Sequence, residues 1–274
     1  MVAGRGRLGR SLTGAFRAAG HSCELVSGRE LPDRTPLVDV AFLAVPDPEL
    51  AAVAGRIAGR VPAATAVVHL SGSQPLGALQ PATAAGHPVG SFHPFQSFPV
   101  ERAPAAFRGA LIGIDSADPA LLTRLERLAL DIGGRPRRVP DRERALYHVA
   151  AVLASNLLVG LISTSATVLE AAGWSRADAV DALLPLLFGV VENIGAEGLE
   201  GALIGPIRRG DPETVRRHLA ELEAAGMEDP ARVYRILGRA TLELALAAGL
   251  DPAKGAEILL ALTGSPAATG GEPR

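Results

Sequence analysis

The sequence is poor in cysteine and in net charge, and each shortage excludes a class of function. A single cysteine, Cys23, stands among the 274 residues, which excludes an internal disulfide and fits a reducing cytoplasm. The formal net charge is −2 at pH 7, which gives no electrostatic basis for binding nucleic acid or a membrane surface. We therefore expect neither nucleic acid nor a membrane as a partner.

Three further signals are missing. No apolar run reaches membrane-spanning length without interruption; the nearest, 149–162, contains Ser155 and Asn156, and no signal peptide is visible. The scattered histidines show no metal-binding spacing. The G-x-S-x-G turn of serine hydrolases is also absent. These features predict a cytoplasmic protein without a metal.

A glycine-rich turn stands at the beginning of the sequence. Gly4, Gly6 and Gly9 match the spacing G-x-G-x-x-G, and the apolar periodicity of residues 10–19 predicts a helix after it. In dinucleotide-binding folds these glycines form a tight turn, let the backbone approach a pyrophosphate, and let helix and strand pack closely. We expect the whole turn to bind the cofactor, namely Gly4, Arg5, Gly6, Arg7, Leu8 and Gly9.

The strand before this turn is unusually short in the sequence. Only residues 1–3 precede Gly4, whereas strands usually have about 5 residues. Either the strand is very short or the native chain begins upstream of Met1. We favour an upstream start.

The end of the second predicted strand indicates which dinucleotide binds. Ser27 and Arg29 follow this strand, and Arg29 stands 20 residues after Gly9. An acidic residue at this position accepts the 2′-hydroxyl of NAD, whereas an arginine accommodates the 2′-phosphate of NADP. Although Glu30 follows, the pattern favours NADP(H); the alternative is a solvated loop arginine.

The chain divides into two patterns near Pro140. Up to that residue, short apolar runs alternate with helical periodicity, which predicts an α/β Rossmann domain with a parallel, doubly wound sheet over residues 1–140. Residues 141–264 contain no convincing strand and predict an all-helical domain. Within it we expect one long helix over 142–171 and three later helices that begin at Asp-Pro dipeptides, at Asp211, Asp229 and Asp251. Residues 265–274 predict a disordered tail.

Polar residues cluster where three predicted strands end, and ligands of open α/β sheets bind at this edge. Val45 and Pro46 end one strand and are expected beside the cofactor. The next strand ends in His69, Ser71 and Gly72, and the last in His93-Pro94-Phe95-Gln96. An imidazole there can exchange a proton with a carbonyl or hydroxyl group. The alternative for His69 is a buried histidine satisfied by the backbone.

The predicted long helix carries polar groups in an otherwise apolar run. His148, Ser155 and Asn156 lie within about 100° of one another on a helical wheel. Polar groups buried in such a run need hydrogen-bond partners, either on other helices or on a substrate and the nicotinamide. Further along, Arg209 is a candidate for binding a carboxylate, or a solvated side chain.

Taken together, these motifs resemble one protein family. They are Gly4–Gly9, Val45-Pro46-Asp47, His69-Leu-Ser-Gly72, Gly90–Phe98, Tyr147-His148, Ala154-Ser-Asn156, and Gly205-Pro206-x-x-Arg209-Gly-Asp211 with Thr214 and His218. The family comprises bacterial proteins with a Rossmann-like NADP-binding domain joined to a helical domain long classed as of unknown function. The resemblance implies a fold like 6-phosphogluconate dehydrogenase, pyrroline-5-carboxylate reductase and ketopantoate reductase, and it implies a homodimer.

The resemblance also bears on the chemistry. Some members of the family are similar to an alternative ketopantoate reductase, and His93-Pro94 is similar to the catalytic His-Pro motif of prephenate dehydrogenase. Many related reductases have Lys-x-x-x-Asn on the long helix; here Asn156 matches the asparagine, but Val152 replaces the lysine. His93 or His148 must therefore donate any proton.

We therefore predict an NADPH-dependent oxidoreductase that reduces a small 2-oxo acid, with 2-dehydropantoate as the leading substrate. Ser71 and Asn156 orient the carbonyl, and His93 or His148 donates the proton. The other residues that we expect to bind this small-molecule carboxylate substrate are His69, Gly72, Ser155 and Arg209. Two alternatives stay open: a non-catalytic NADP-binding sensor or scaffold, and a reductase or dehydrogenase of an imine or a prephenate-like ring.

Overall fold

The computed structural model describes residues 1–31 and 37–264, which form two compact units. The first unit ends at Asn156, and the second begins at Leu157. The first unit thus extends beyond residue 140 and includes the helix that follows it. The expected tail, residues 265–274, lies outside the described residues.

The first unit alternates strands and helices, as the sequence predicts. The strands are β1 (Val2–Ala3), β2 (Leu25–Val26), β3 (Val40–Leu43), β4 (Ala66–His69), β5 (Val89–Pro94), β6 (Leu111–Ser116) and β7 (Arg135–Arg138). The helices are α1 (Arg7–Ala18), α2 (Leu50–Ala58), α3 (Gln80–Ala84), α4 (Pro119–Asp131) and α5 (Asp141–Ala154). Short 3-10 turns cover Asp47–Glu49, Leu76–Leu79 and Pro104–Phe107.

The seven described strands form one sheet in the order β2-β1-β3-β4-β5-β6-β7. Neighbouring strands are parallel except β5 and β6, which are antiparallel, with His93 opposite Gly113. The prediction of a parallel-dominated, doubly wound sheet is confirmed, but β6 is reversed. The connection after β5 accounts for the reversal: Phe95, just past β5, donates a backbone hydrogen bond to Leu111 at the start of β6, so the chain re-enters the sheet at the edge where β5 ends.

Alternation along the strands gives the sheet two different faces. One face packs against α1 and α4 through an apolar cluster that includes Phe16, Phe42 and Phe92. The other face packs on α2 around Leu50 and Ile57. On this second face the polar residues of β4 and β5 lie at the carboxyl edge, and α5 contributes side chains to them.

Within residues 156–264, the described part of the chain has six further helices: α6 (Asn156–Ala171), α7 (Arg176–Ala202), α8 (Pro206–Arg209), α9 (Pro212–Ala224), α10 (Glu228–Ala247) and α11 (Pro252–Thr263). The single long helix predicted over 142–171 is wrong in one respect, since the backbone leaves helical geometry at Ser155 and α5 ends there. Ser155 donates its hydroxyl hydrogen to the carbonyl of Ala151 at 2.6 Å, a bond that competes with the helical ladder.

Aspartate caps explain two of the three expected helix starts. Asp211 and Asp251 accept backbone amides at the starts of α9 and α11, each followed by proline. Hydrogen bonds from Thr214 lower the pKa of Asp211. The third start is wrong by one residue, because α10 begins at Glu228, ahead of Asp229.

The helices of the second unit expose much apolar surface. On α7, Phe188 and Val191 are 66% and 64% exposed. By length and composition alone, two helical stretches, Asp141–Ala171 and Arg176–Arg209, are apolar enough to cross a membrane. This test is weak evidence of a membrane span, since a helix face covered by another chain passes it too. Exposed apolar helix faces of this kind are typical of surfaces that contact another protein chain or a membrane.

Candidate active site

The glycine turn after β1 has the tight packing that its sequence predicts. Gly4 adopts a φ of +130°, and a Cβ on it would lie 2.1 Å from the carbonyl oxygen of Ala44. A Cβ on Gly9 would lie 2.0 Å from the oxygen of Gly4, so helix α1 and the turn touch backbone to backbone. At Gly6, by contrast, a Cβ would meet nothing within 4 Å among the described atoms. Strand, turn and helix are thus fixed against one another, while the middle glycine faces open space.

The start of α1 is suited to an anion. Its N-cap is Gly6, which has no side chain to accept hydrogen bonds from the first turn, and that turn contains no acidic residue. Arg5 and Arg7 are exposed around it, and Arg10 donates its Nε hydrogen to the oxygen of Arg5 at 2.9 Å. Free amides at a helix start, surrounded by cations, favour a phosphate group.

The loop after β2 lies beside this turn. Ser27 accepts backbone hydrogen bonds from Arg29 and Glu30, both at 3.2 Å, which fixes the loop and leaves the Arg29 side chain exposed. Gly28 is buried, and a Cβ on it would lie 2.5 Å from Cγ1 of Val45. The ends of β2 and β3 are therefore packed together, and Pro46 next to Val45 is exposed.

Serine and aspartate fix the loop after β4. Ser71 accepts the backbone amides of Ser73 and Gln74 at 3.2 and 3.1 Å. The carboxylate of Asp47, at the end of β3, accepts hydrogen bonds from the side chains of Ser73 (2.9 Å) and Gln74 (3.2 Å). Because Ser73 donates its hydrogen to Asp47, Ser71 donates its own hydroxyl hydrogen to Ser73 Oγ, over a long 3.3 Å that a ligand oxygen can replace.

His93 is held by a tyrosine that the chain places 54 residues away. The Nδ1 atom of His93 lies 2.8 Å from the hydroxyl oxygen of Tyr147 on α5. The two rings are edge-on, with centroids 5.5 Å apart. Among the described residues no protein group hydrogen-bonds the other ring nitrogen, Nε2. The free nitrogen is the one that a substrate can use.

The rings of His93 and His148 converge over Gly72. A Cβ on Gly72 would lie 2.7 Å from Nε2 of His93 and 2.9 Å from Nδ1 of His148. The ring centroids of the two histidines are 6.4 Å apart, and Nδ1 of His148 is buried without a described hydrogen-bond partner. Three of the predicted site residues therefore meet at one place, and only glycine at position 72 permits it.

Arg144 is the site residue that the sequence interpretation missed. Its side chain is 1% exposed and donates to the hydroxyl of Ser91 at 2.6 Å and to the carbonyl of Val139 at 3.1 Å. Its Nε lies 3.5 Å from the half-exposed Asp141. Nε and Nη1 are buried and find no hydrogen-bond partner in the described ranges. The site therefore contains a buried positive charge, that of Arg144.

A signal for Arg144 is present in the sequence. Positions 144, 147 and 148 are spaced i, i+3 and i+4, which places them on one face of a helix. His148, Ser155 and Asn156 cover only the turns that follow His148, whereas Arg144 and Tyr147 lie in the turn before it.

Burial and positive charge keep the histidines neutral. Desolvation, first, and then the charge of Arg144 lower the pKa of His69 to about 4. Desolvation, His148 and Arg144 lower the pKa of His93 to about 4 as well, although Asp47 opposes them. Burial raises the pKa of Tyr147 well above its ordinary value, opposed by Arg144. At neutral pH both imidazoles are uncharged and the phenol is protonated.

His69 lies fully buried opposite Ser91 in the sheet. Both its ring nitrogens lack a hydrogen-bond partner among the described residues. The alternative of a buried histidine is correct as to burial, but no described backbone group hydrogen-bonds the ring. Gly90, one residue before Ser91, packs against α4.

The remaining candidates lie elsewhere. Ser155 and Asn156, at the end of the first unit, hydrogen-bond each other at 2.9 Å, and Asn156 is exposed. Arg209 belongs to the second unit, where it is exposed at the end of α8, whereas its neighbour Arg208 donates to the carbonyl of Ala248 at 3.0 Å. Arg209 is thus the arginine of this pair whose side chain is free to bind a ligand in the described structure.

Comparison with known proteins places the chain among Rossmann folds. The sequence of residues 110–241 matches a family described as "Domain of unknown function (DUF2520)". No curated protein matches the sequence. Several solved structures resemble the fold at low sequence identity.

Three of these structures illustrate the likeness. Protein BF3122 of Bacteroides fragilis, provisionally assigned as an NADP oxidoreductase, has a TM-score of 0.69 at 22% identity and covers 88% of this chain and 96% of its own. Protein TM1727 of Thermotoga maritima has a TM-score of 0.69 at 23% identity, covering 90% and 98%. Pyrroline carboxylate reductase of Plasmodium falciparum, solved with NADP bound, has a TM-score of 0.57 at 13% identity, covering 94% and 97%. The fold class, a Rossmann domain followed by a helical region, is confirmed.

Proposed function

We propose that this protein is an NADPH-dependent reductase of a small 2-oxo acid, with 2-dehydropantoate as the leading substrate. One observation carries the proposal. His93 and His148 converge over Gly72 at the same sheet edge that carries the uncapped glycine turn. Three strand spacings, about 14 Å at ~4.8 Å each, separate β1 from β5. A dinucleotide held by the glycine turn at one end of this edge would supply its hydride chemistry to the residues at the other end.

The residues present fit NADP(H). The backbone contacts at Gly4 and Gly9 leave the pyrophosphate-binding turn without side chains in the way, and α1 presents its free amides there. The exposed Arg29 follows β2, where a 2′-phosphate would lie. The similar fold of the NADP-bound pyrroline carboxylate reductase supports the same assignment.

When bound, NADPH supplies the hydride, and the protein supplies position and a proton. His93 is neutral at physiological pH, so it acts as a hydrogen-bond donor that polarises the carbonyl, not as an imidazolium. Its free Nε2 then gives a proton to the oxygen as the alkoxide forms. Ser71 donates its hydroxyl hydrogen to the same oxygen, and His148 closes the site on the other side of Gly72.

We propose that a second set of residues binds the substrate itself. Arg209 binds the carboxylate, while Asn156 and Ser155 orient the carbonyl group. His69 and Gly72 line the floor of the site. The supporting observation for Arg209 is its exposed side chain, next to the half-buried Arg208 whose guanidinium is already hydrogen-bonded to Ala248.

A second candidate function is a non-catalytic NADP-binding sensor. Val152 stands where many related reductases have a catalytic lysine, and this residue favours the sensor. The convergence of His93 and His148 argues against it, because two unpaired ring nitrogens at one point have no structural role that we can identify. Oxidation of NADPH distinguishes the two functions.

We also propose that the protein is a cytoplasmic homodimer. Leu184, Phe188 and Val191 are exposed and lie at i, i+4 and i+7 on one face of α7, and an exposed apolar face of this kind is typical of an interaction surface. Light scattering after size exclusion in detergent-free buffer tests this directly. A dimer that dissociates in Phe188→Asp but not in the control Asp181→Asn is expected. A monomer, or a protein that stays soluble only in detergent, would overturn it.

The central experiment measures NADPH oxidation with 2-dehydropantoate, beside fluorescence titrations of NADPH and NADH. We expect turnover, and a loss of about 10²–10⁴-fold in His93→Ala with cofactor affinity retained. His21→Ala is the matched control, because this exposed histidine is paired with Asp131 and lies outside the site. Binding of NADPH without its oxidation in the presence of any oxo acid or imine would favour the sensor. Turnover with imines alone would show that the substrate is an imine and not a 2-oxo acid.

A further inference from the structure

The hydrogen bond between Tyr147 and His93 has a direction that can be deduced. Among the described residues, the hydroxyl hydrogen of Tyr147 has two acceptors: Nδ1 of His93 at 2.8 Å and the carbonyl oxygen of His93 at 3.4 Å. A hydroxyl-to-oxygen hydrogen bond is usually about 2.5–3.0 Å long, so the carbonyl oxygen is a poor acceptor and Nδ1 is the favoured one. Tyr147 therefore donates to Nδ1.

This direction fixes the tautomer of His93. A neutral imidazole carries one hydrogen, and a nitrogen that accepts a hydrogen bond cannot carry it. The hydrogen must then be on Nε2, the nitrogen that converges with His148 over Gly72. His93 is thus prepared to donate into the site.

Arg144 provides the third part of the arrangement. It lies one turn before Tyr147 on the same face of α5 and is buried, with two nitrogen atoms unpaired among the described residues. Its charge favours the neutral form of His93 and the ionised form of Tyr147. A positive charge at this place stabilises negative charge that arrives on the phenol oxygen.

We propose that Tyr147 supplies, through His93, the proton that reduction consumes, and that Arg144 stabilises the phenolate left behind. This relay rests on the proposed reductase function. The hydride comes from NADPH. As the carbonyl oxygen gains charge, the Nε2–H bond of His93 breaks and an O–H bond forms on the substrate. The O–H bond of Tyr147 breaks while an Nδ1–H bond forms, so His93 stays neutral throughout. After the product leaves, Nε2 of His93 takes up a proton from solvent while the Nδ1 hydrogen returns to the Tyr147 oxygen, which restores the starting tautomer and the neutral phenol.

In this scheme His93 is the catalytic residue, while Tyr147 and Arg144 are positioning residues that act through it. The charged and titratable groups around His93 are His148, Arg144, Asp47 and His69, with Tyr147 in direct contact. Arg144 belongs to α5 and Asp47 to the turn after β3, so the charged groups come from more than one element packed against His93. Asp47 already accepts two hydrogen bonds from the loop after β4 and is not the proton source.

The test begins with nitrogen NMR of the ligand-free protein, labelled with ¹⁵N-histidine, at neutral pH. The resonances of His93 are assigned by comparison with His93→Gln. We expect an unprotonated Nδ1 and a protonated Nε2 in the wild-type protein. In Tyr147→Phe we expect this preference to weaken, with both nitrogens partly protonated. A wild-type His93 with the hydrogen on Nδ1 overturns the relay without the use of any variant.

The chain offers a matched control at its other tyrosine. Tyr234 lies 2.9 Å from Nδ1 of His218 in the second unit, so Tyr234→Phe removes the same kind of bond elsewhere. We expect Tyr234→Phe to change the resonances of His218 and to leave those of His93 as they are. A change of His93 in both variants, or in neither, contradicts a local role of Tyr147.

Kinetics then separate the relay from the proposed function. Tyr147→Phe should lower kcat by about 10²-fold, the lower end of general acid catalysis, with NADPH affinity unchanged. Wild-type turnover in Tyr147→Phe overturns the relay and leaves the reductase function standing. A wild-type protein that oxidises no NADPH with any substrate overturns the function, while the tautomer measurement still decides whether Tyr147 sets His93.

Discussion

Substituting Gly72 by alanine tests whether the two histidines converge as described. The added Cβ would lie 2.7 Å from Nε2 of His93 and 2.9 Å from Nδ1 of His148, where ordinary contacts begin at 3.4 Å. Each ring must therefore retreat by half an ångström or more, about 0.7 Å for His93 by the difference of the two distances. His93 resists this shift because Tyr147 holds its Nδ1.

The expected effect on catalysis follows from that displacement. Because a misplacement of about 1 Å can cost 10²-fold in rate, we expect kcat of Gly72→Ala to fall by about 10²-fold. The dissociation constant of NADPH should not change, since the glycine turn and Arg29 are on other strands. Overpacking should also cost about 1–3 kcal/mol in the free energy of unfolding.

The assay combines NADPH oxidation, fluorescence titration of NADPH and urea unfolding. Gly14→Ala is the control: a Cβ there would meet nothing within 4 Å, and the residue lies inside α1. This control should leave kcat unchanged and raise stability by about 0.4–1 kcal/mol. Wild-type kcat and wild-type stability in Gly72→Ala would refute the reasoning, because the rings would then not be in contact with residue 72.

Three further predictions follow from the charges around the site. Arg29→Leu should weaken NADPH binding by about 10–100-fold, which corresponds to the loss of one or two charge-assisted hydrogen bonds. NADH binding should stay unchanged in parallel titrations. An equal loss of affinity for both nucleotides would contradict a contact between Arg29 and the 2′-phosphate. Arg144→Met should raise the pKa of His93 above its value of about 4 in an NMR titration, because a nearby positive charge is removed; an unchanged pKa would show that burial alone sets it. Burial lowers the pKa of His69 from an ordinary 6.5 to about 4. Between these two pH values the unfolded chain therefore binds more protons than the folded protein. The free energy of unfolding should fall as the pH is lowered through this window, by about 1 kcal/mol per pH unit. Urea unfolding of His69→Gln should show a smaller pH slope than the wild-type protein, and an identical slope would contradict it.

Several parts of the fold were readable from local pattern. The glycine spacing predicted the turn after β1, and the apolar periodicity after it predicted α1. Asp-Pro dipeptides predicted the caps of α9 and α11, because an aspartate side chain accepts amides of the turn that directly follows it. Interactions of this kind are complete within a few residues, so the sequence contains them.

The sequence-based predictions were wrong where contacts between distant residues, and not the local residue pattern, determine the structure. The reversal of β6 depends on where Phe95 meets Leu111, and no periodicity within β6 reveals its direction. The break at Ser155 was hidden by the helical pattern on both sides of it. Arg144 was missed because an arginine near a helix start is usually solvated, whereas this one is buried.

For the site, the sequence by itself determined which residues stand at the carboxyl ends of the strands, among them His69 and His93. A parallel sheet brings those ends to one edge whatever the packing details. Only the tertiary structure decided that α5 contributes side chains over β5 and β6, so that Tyr147 donates to His93 and Arg144 places a buried charge among neutral imidazoles. The physical reason is distance along the chain: contacts between residues more than 50 positions apart depend on how a helix packs on a sheet, and that packing is set by all the side chains between them.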